Sequence, residues 1–268
     1  MNLQELYESL TDPEPTPSDA DWNSNGFVIK KKLIPDYLID AYQNCWLRNN
    51  ASIDEYGHVE ITRPGGWPDC TPYRRHKELL NILTYEPLAL EMERLIGEPA
   101  AVHLNLTGWK TTTRDWHQDT YLNPTHVGDY YVAIWIALDD IHPDSGPFQY
   151  VAGSHMWRTV TQEKMLAALP KEKRDYKWPT YSEEILTPIF MDQIERRKAQ
   201  ITTYLPERGD VLFWHGRLLH RGSIAKNPNM LRKSLIAHYS GINHRSDMPA
   251  AIKHNSGWYF PIDGGNTE

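Results

Sequence analysis

Cysteine is nearly absent from this chain: only Cys45 and Cys70 occur in 268 residues. Two thiols cannot build a disulfide framework or a cysteine-rich zinc module, and the simplest expectation is a pair of reduced thiols in a cytoplasmic protein. A basic excess is also missing. The 28 Lys+Arg residues stand against 35 Asp+Glu, a formal charge of −7, which argues against a general nucleic-acid partner. No apolar run approaches the ~18 residues of a membrane span, and the mean hydropathy is −0.62. Residues Met1 to Leu6 lack the basic start and apolar stretch of a signal peptide. Phenylalanine is scarce too, at 5, whereas Trp reaches 10, Tyr 15 and His 12. Many histidines beside few thiols leave room for a His/carboxylate metal site.

No repeat, low-complexity tract or linker divides the chain, so the expectation is a single domain over residues 1–268. A helical part is expected over about 1–98 and a β core over about 99–245, interrupted by an insertion at 161–200. Residues 11–25, rich in Pro, Asp and Ser, read as a loop after a short N-terminal helix. A strand at Gly26–Ile29 and a helix starting near Ile34 follow. Leu79, Leu80, Ile82, Leu83, Leu88, Leu90, Met92 and Leu95 recur at helical spacing, which predicts a helix pair ending at Gly97.

From residue 100 the period becomes two. Val102–Leu106, Tyr130–Leu138, Phe148–Val151, Val211–His215 and Ser234–Tyr239 read as short strands between Asp/Gly/Pro turns, the pattern of an antiparallel sandwich or barrel. The insertion is charged and helix-like.

The densest polar cluster is Trp116-His117-Gln118-Asp119-Thr120. Residues two apart on an extended chain share a face, so His117 and Asp119 can reach one ion, with Gln118 turned away. Two His and one carboxylate are the donor set of non-haem Fe(II) oxygenases. A bland alternative is a hydrogen-bonded surface pair. The third ligand is sought within Gly209–Ser223, where His215 and His220 compete. His215 follows the bulky run Leu212-Phe213-Trp214 and reads as a packed histidine. His103, His142, His155 and His238 lack ligand-like spacing. Arg232 opens a strand expected beside that of His220, where a guanidinium can hold a carboxylate in two parallel hydrogen bonds. Its bland reading is a solvated strand-edge charge. On the strand Tyr131–Leu138, Val132, Ile134, Ile136 and Leu138 form a core face. Tyr131, Ala133, Trp135 and Ala137 form another, with space for a ligand between rings.

Six stretches together resemble the phytanoyl-CoA dioxygenase-like Fe(II)/2-oxoglutarate oxygenases, in that family's order from about Gly26 to Tyr239. They are Trp116–Thr120, Ala133–Leu138, Asp144–Phe148, Val151–His155, Gly209–Phe213 and Leu219–Ser223. The resemblance implies a mainly β fold with flanking helices, built on a double-stranded β-helix (jelly-roll) core. It implies His117, Asp119 and His220 as the Fe(II) ligands. It further implies Arg232 on the distal carboxylate of 2-oxoglutarate, aided by Ser223, with Trp135 lining that pocket and O2 as the second cosubstrate. The His220–Arg232 segment is one residue longer than the usual pattern, with Arg221 as the extra residue. Halogenating relatives carry a small residue where Asp119 stands, so halogenation is not expected.

The implied reaction is hydroxylation of a substrate C–H bond with release of succinate and CO2. Arg63, Arg74 and Arg75 are candidates for reading an anionic group on the substrate. A small metabolite is favoured over a CoA thioester, a nucleic acid or a membrane partner. Two rivals stand beside this expectation. One is a jelly-roll metal-dependent isomerase or hydrolase that does not use 2-oxoglutarate. The other is a non-catalytic small-molecule binding module.

Overall fold

A computed structural model describes residues 20–53, 59–61, 66–111 and 114–263. The expected N-terminal helix and Arg63 lie outside the described residues. Part of the expected 11–25 loop is instead helix α1 (Ala20–Asn25). Its Trp22 is buried with its ring 5.4 Å from that of His215, so tertiary burial overrides the turn-rich composition.

Helix α2 (Asp36–Asn50) buries Leu38, Ile39, Tyr42, Cys45 and Trp46 along one stripe. The expected helix pair is α3 (Lys77–Leu83) and α4 (Glu86–Ile96). It ends at Gly97, which adopts φ 80°, the left-handed conformation that suits glycine at a helix C-terminus. Both cysteines are free, and burial pushes the Cys45 thiol up to about 11.

The helices cover one face of a seven-stranded sheet. Its order is β1 (Phe27–Lys30), β8 (Val211–His215), β5 (Tyr131–Ala137), β10 (Ser234–Gly241), β4 (Ala100–Gly108), β12 (Gly257–Tyr259) and β11 (Ile252–His254). Every pairing is antiparallel except β12 with β4. Two further strands, β2 (Ala51–Ile53) and β3 (Val59–Ile61), form a separate hairpin. Val132, Ile134 and Ile136 of β5 pack outward with the residues of α2–α4, as their alternation predicts.

A three-stranded sheet of β7 (Ile201–Thr203), β6 (Phe148–Val151) and β9 (His220–Gly222) faces the inner side of the large sheet. Ala133, Trp135, Ala137, Leu212 and Trp214 meet Phe148, Tyr150 and Tyr204 in the core between them. This is the jelly-roll arrangement. It also corrects the ligand space expected between Tyr131 and Trp135, because the rings of the opposite sheet fill it.

Two further corrections come from register. Strand β10 lies between β5 and β4 in the large sheet, not beside β9, because the chain changes sheets through the 223–233 connection. Strand β9 pairs without a shift, Gln149 opposite Arg221 and Tyr150 opposite His220. Arg221 therefore holds an ordinary strand position.

The insertion is two helices, α5 (Gln162–Ala168) and α6 (Trp178–Arg196). They pack on Trp116, Tyr121 and Leu219. Thr187 of α6 donates to the Trp116 carbonyl at 3.1 Å, and Arg114 pairs with Glu183 at 2.6 Å. The insertion thus backs the chain segment that carries His117 and Asp119. None of the described helices is long and apolar enough to cross a membrane.

The turn into β8 joins the large sheet to the segment after β1. Gly209 has φ +87°, and a Cβ there would sit 2.8 Å from the Ile34 carbonyl oxygen. Asp210 accepts from the amides of Lys32 at 2.9 Å and Glu207 at 3.0 Å and from the Lys31 ammonium. Burial alone would raise its pKa, but these donors outweigh burial and hold it below the usual carboxylate range. Asp210→Ala should cost roughly 1–3 kcal/mol at neutral pH, the penalty of stranding buried donors, measured by urea unfolding. A depressed folded pKa contributes stability above the unfolded pKa of about 3.9. The contribution is lost as pH falls through the lower folded value, so the gap between variant and wild type should close below about pH 4. Equal urea midpoints at pH 7 would refute this role.

Candidate metal centre and its cavity

His117 forms an antiparallel bridge with His220 of β9. Each amide donates to the other residue's carbonyl at 3.1 Å. That pairing sets the two imidazoles side by side, with ring centroids 4.1 Å apart. Asp119 does not continue an extended strand. It turns at φ −90°, ψ −19° into a 3-10 turn over Thr120–Leu122. Its amide is anchored to the Gly216 carbonyl at 2.7 Å. The bridge and this turn, rather than a flat strand face, bring the carboxylate to the histidines.

One ligand atom from each of His117, Asp119 and His220 lies within 4.8 Å of the others, and all three residues are buried. His117 Nε2 is 3.8 Å from Asp119 Oδ1, and His220 Nε2 is 3.8 Å from Oδ2. The other ring nitrogens are occupied. Nδ1 of His117 donates to the Asp115 carbonyl at 2.6 Å and Nδ1 of His220 to that of Leu218 at 2.9 Å. A carbonyl only accepts, so each Nε2 keeps its lone pair toward the centre. Burial lowers both histidine pKa values and favours the neutral, ligating ring. For Asp119 burial acts upward, but His220, His238, Arg114 and a hydrogen bond from Trp214 outweigh it, and the carboxyl stays below its usual range. Its Oδ1 is buried without a hydrogen-bond partner among the described residues. Two neutral imidazoles and an orphaned carboxylate oxygen suit a divalent cation.

His215 is elsewhere. It is buried 3.4 Å from Asp129, on the face of β8 opposite Trp214. Gln118 points away from the centre as expected, donating to the Arg217 carbonyl at 2.7 Å and accepting from Thr159 at 2.9 Å.

The triad forms one wall of a cavity of about 200 Å³. Arg232 stands in the same cavity, 2% exposed. It donates from Nη1 to the Gly146 carbonyl at 2.8 Å, and its Nε has no partner. No carboxylate neutralises it among the described residues, and burial lowers its pKa to about 10. Ser223 spends its hydroxyl on the Pro147 carbonyl at 2.7 Å, while the neighbouring Gly222 lines the cavity. Trp135 is fully buried behind the wall, edge-on to Tyr204 at 5.8 Å, and does not line it.

The arginine candidates fare differently. Arg74 is tied to the Ile262 carbonyl at 3.0 Å and to Asp263, away from the cavity. Arg75 pairs with Asp69, which does line it. Besides Arg232, the cations on the wall are Arg114 and Lys110, neither of them singled out from sequence. His238 lines the cavity too, without ligand-like spacing in the sequence. Ser234, Ile236 and His238 all face the cavity from β10, a period of two that was present in the sequence. His238 is hydrogen-bonded to Tyr131 and sits 3.9 Å from Asp119 Oδ2.

Comparison with known proteins decides the family. A family model described as phytanoyl-CoA dioxygenase (PhyH) matches residues 22–233. The chain belongs to the PhyH family. Among its relatives, human peroxisomal phytanoyl-CoA dioxygenase is 23% identical over 255 residues, covering 87% of this chain and 71% of that protein. The bovine enzyme is 22% identical over 254 residues, with the same coverage. Among solved structures, EctD from S. alaskensis with bound Fe superposes with a TM-score of 0.63 at 14% identity, covering 92% of this chain and 88% of that one. The 2-oxoglutarate-dependent epimerase SnoN from nogalamycin biosynthesis gives 0.55 at 17%, covering 90% and 83%. At such identities these superpositions speak for the fold. With PhyH membership and the clustered triad, they place the chain among 2-oxoglutarate-dependent oxygenases.

Asp119→Ala and His220→Ala should each abolish stoichiometric Co(II) binding in calorimetric titration. His215→Ala should keep one bound ion per chain while lowering the melting temperature. Loss of the ion with His215→Ala alone, in a folded protein, would reverse the ligand assignment.

Proposed function

We propose that this PhyH-family chain hydroxylates a C–H bond of a small, anionic metabolite, consuming O2 and 2-oxoglutarate and releasing succinate and CO2. The observation that carries this reading is Arg232, a buried guanidinium without a counter-ion that shares a cavity with His117, Asp119 and His220. Desolvating a charge is costly unless a partner arrives. A dicarboxylate with one end on the metal and the other on Arg232 removes that cost. An isomerase or hydrolase that did without 2-oxoglutarate would need the triad but would gain nothing from a buried arginine there.

His117, Asp119 and His220 would hold Fe(II), at which O2 would serve as the oxidant, taking two electrons from 2-oxoglutarate as it decarboxylates to succinate and two from the substrate C–H bond. The chain's own contributions are positional. Carbonyls of Asp115 and Leu218 hold the imidazoles in the ligating tautomer. Phe148 and Trp214 close the inner wall against water. Arg232 orients the cosubstrate through two parallel hydrogen bonds.

Charge accounting supports an anionic substrate. A divalent ion, Asp119, Arg232 and a 2-oxoglutarate dianion sum to zero. Arg114 is neutralised by Glu183 and Asp69 by Arg75. Lys110 then brings an unmatched positive charge, with no ion pair among the described residues. The cationic contact is thereby reassigned from Arg74 and Arg75 to Lys110. Epimerase is the activity named for SnoN, and carbocyclase that for SnoK, another solved structure from nogalamycin biosynthesis. Either would draw on the same residues, and the product would tell them from hydroxylation.

Arg232→Ala should raise the KM for 2-oxoglutarate on the order of 100-fold, the scale of a lost charge-assisted pair, with metal still bound. Succinate release under air from Fe(II), 2-oxoglutarate and a panel of small carboxylates with their methyl esters reads both parts of the proposal. No succinate under any condition would overturn the oxygenase reading. Equal stimulation by acids and esters would overturn the anionic one.

A further inference from the structure

We infer that Trp214 is a positioning residue for the metal centre, holding Asp119 as a ligand through one oxygen, Oδ1. The inference rests on the metal reading above. Trp214 lies on β8 between Ala133 of β5 and Phe27 of β1, on the face turned toward the small sheet. Its indole Nε1 donates to Asp119 Oδ2 at 2.9 Å.

The carboxylate has little else to orient it. The backbone of Asp119 is tied down, its amide to Gly216 and its carbonyl to the Asn123 side chain at 3.0 Å, but neither bond reaches the side chain. Oδ1 has no hydrogen-bond partner among the described residues. His117, His220 and His238 approach the oxygens only to 3.8, 3.8 and 3.9 Å, beyond hydrogen-bond reach. Trp214 is thus the side-chain donor that sets the carboxylate's rotation, among the described residues.

The indole is itself closely packed. It is 1% exposed, and its ring lies 5.1 Å from His220, 5.2 Å from Phe148 and 5.9 Å from His238. One side chain therefore touches two of the three ligands, the Asp119 carboxylate by a hydrogen bond and the His220 ring by packing. An indole N–H only donates, so it occupies Oδ2 and cannot compete for the cation. Oδ1 is left for the metal. A carboxylate freed from this bond could swing to bind through both oxygens and take up a position that a two-His, one-carboxylate set leaves open.

The test is Co(II) affinity and the visible Co(II) absorption spectrum of metal-free protein titrated with Co(II). Wild type, Trp214→Phe and a protein with benzothienylalanine at 214 are compared. The last keeps the indole shape and replaces N–H by sulfur. Both substitutions should weaken Co(II) binding roughly 10–100-fold, the usual scale for losing a group that orients a ligand, and both should alter the spectrum. If Trp214→Phe fails to fold by circular dichroism, the isosteric protein decides. Wild-type affinity and spectrum in the isosteric protein would overturn the role of Trp214 alone. Absence of Co(II) binding by wild type would overturn the metal reading and this inference with it.

Discussion

The centre depends on a pair of backbone hydrogen bonds. His117 and His220 exchange amide-to-carbonyl contacts at 3.1 Å, although 103 positions separate them by number. That bridge joins the 114–119 segment to β9 and puts two imidazoles in register before any metal is considered. What surrounds it serves to keep it in place. The insertion helix α6 grips the segment from outside through Glu183 and Thr187. The Gly216 carbonyl then turns the chain so that Asp119 meets the histidines.

Burial is the second constraint, and it explains the chemistry more than any single contact. The same low-polarity interior that keeps His117 and His220 neutral also makes Arg232 costly without an anion. The two effects have opposite consequences for ligands. Neutral imidazoles accept a cation, while the isolated guanidinium calls for a carboxylate. A cavity holding both fits a cosubstrate that is anionic at one end and metal-chelating at the other. PhyH membership agrees with that inference from the residues.

Much of the scaffold was legible from pattern. Strands β4 and β5 follow from period two, β6, β8 and the start of β10 from short runs bounded by turns, and the helix pair from three-to-four spacing ending at a left-handed Gly97. Where pattern misled, packing had overruled it. Turn-rich residues became α1 because Trp22 found a buried place beside His215. The open face expected around Trp135 was filled by rings from the other sheet, which sequence alone does not place opposite it. The strand that follows Arg232 went to the large sheet, because a jelly roll exchanges sheets between successive strands.

The sequence by itself determined the residue types and local geometry: a His-X-Asp cluster, the alternation that turns Ser234, Ile236 and His238 to one side, and the acidic, cysteine-poor composition. Those properties depend on neighbours within a few residues, where backbone period is sufficient. The resemblance had already implied His220 rather than His215, and the tertiary structure supplies the meeting with Asp119 itself. Tertiary structure alone decided that Lys110 and Arg114 line the cavity in place of Arg74, and that Trp214 rests on the carboxylate. Each of these is a meeting between distant segments, set by strand register and sheet exchange, and the spacing of residues along one chain carries no record of it.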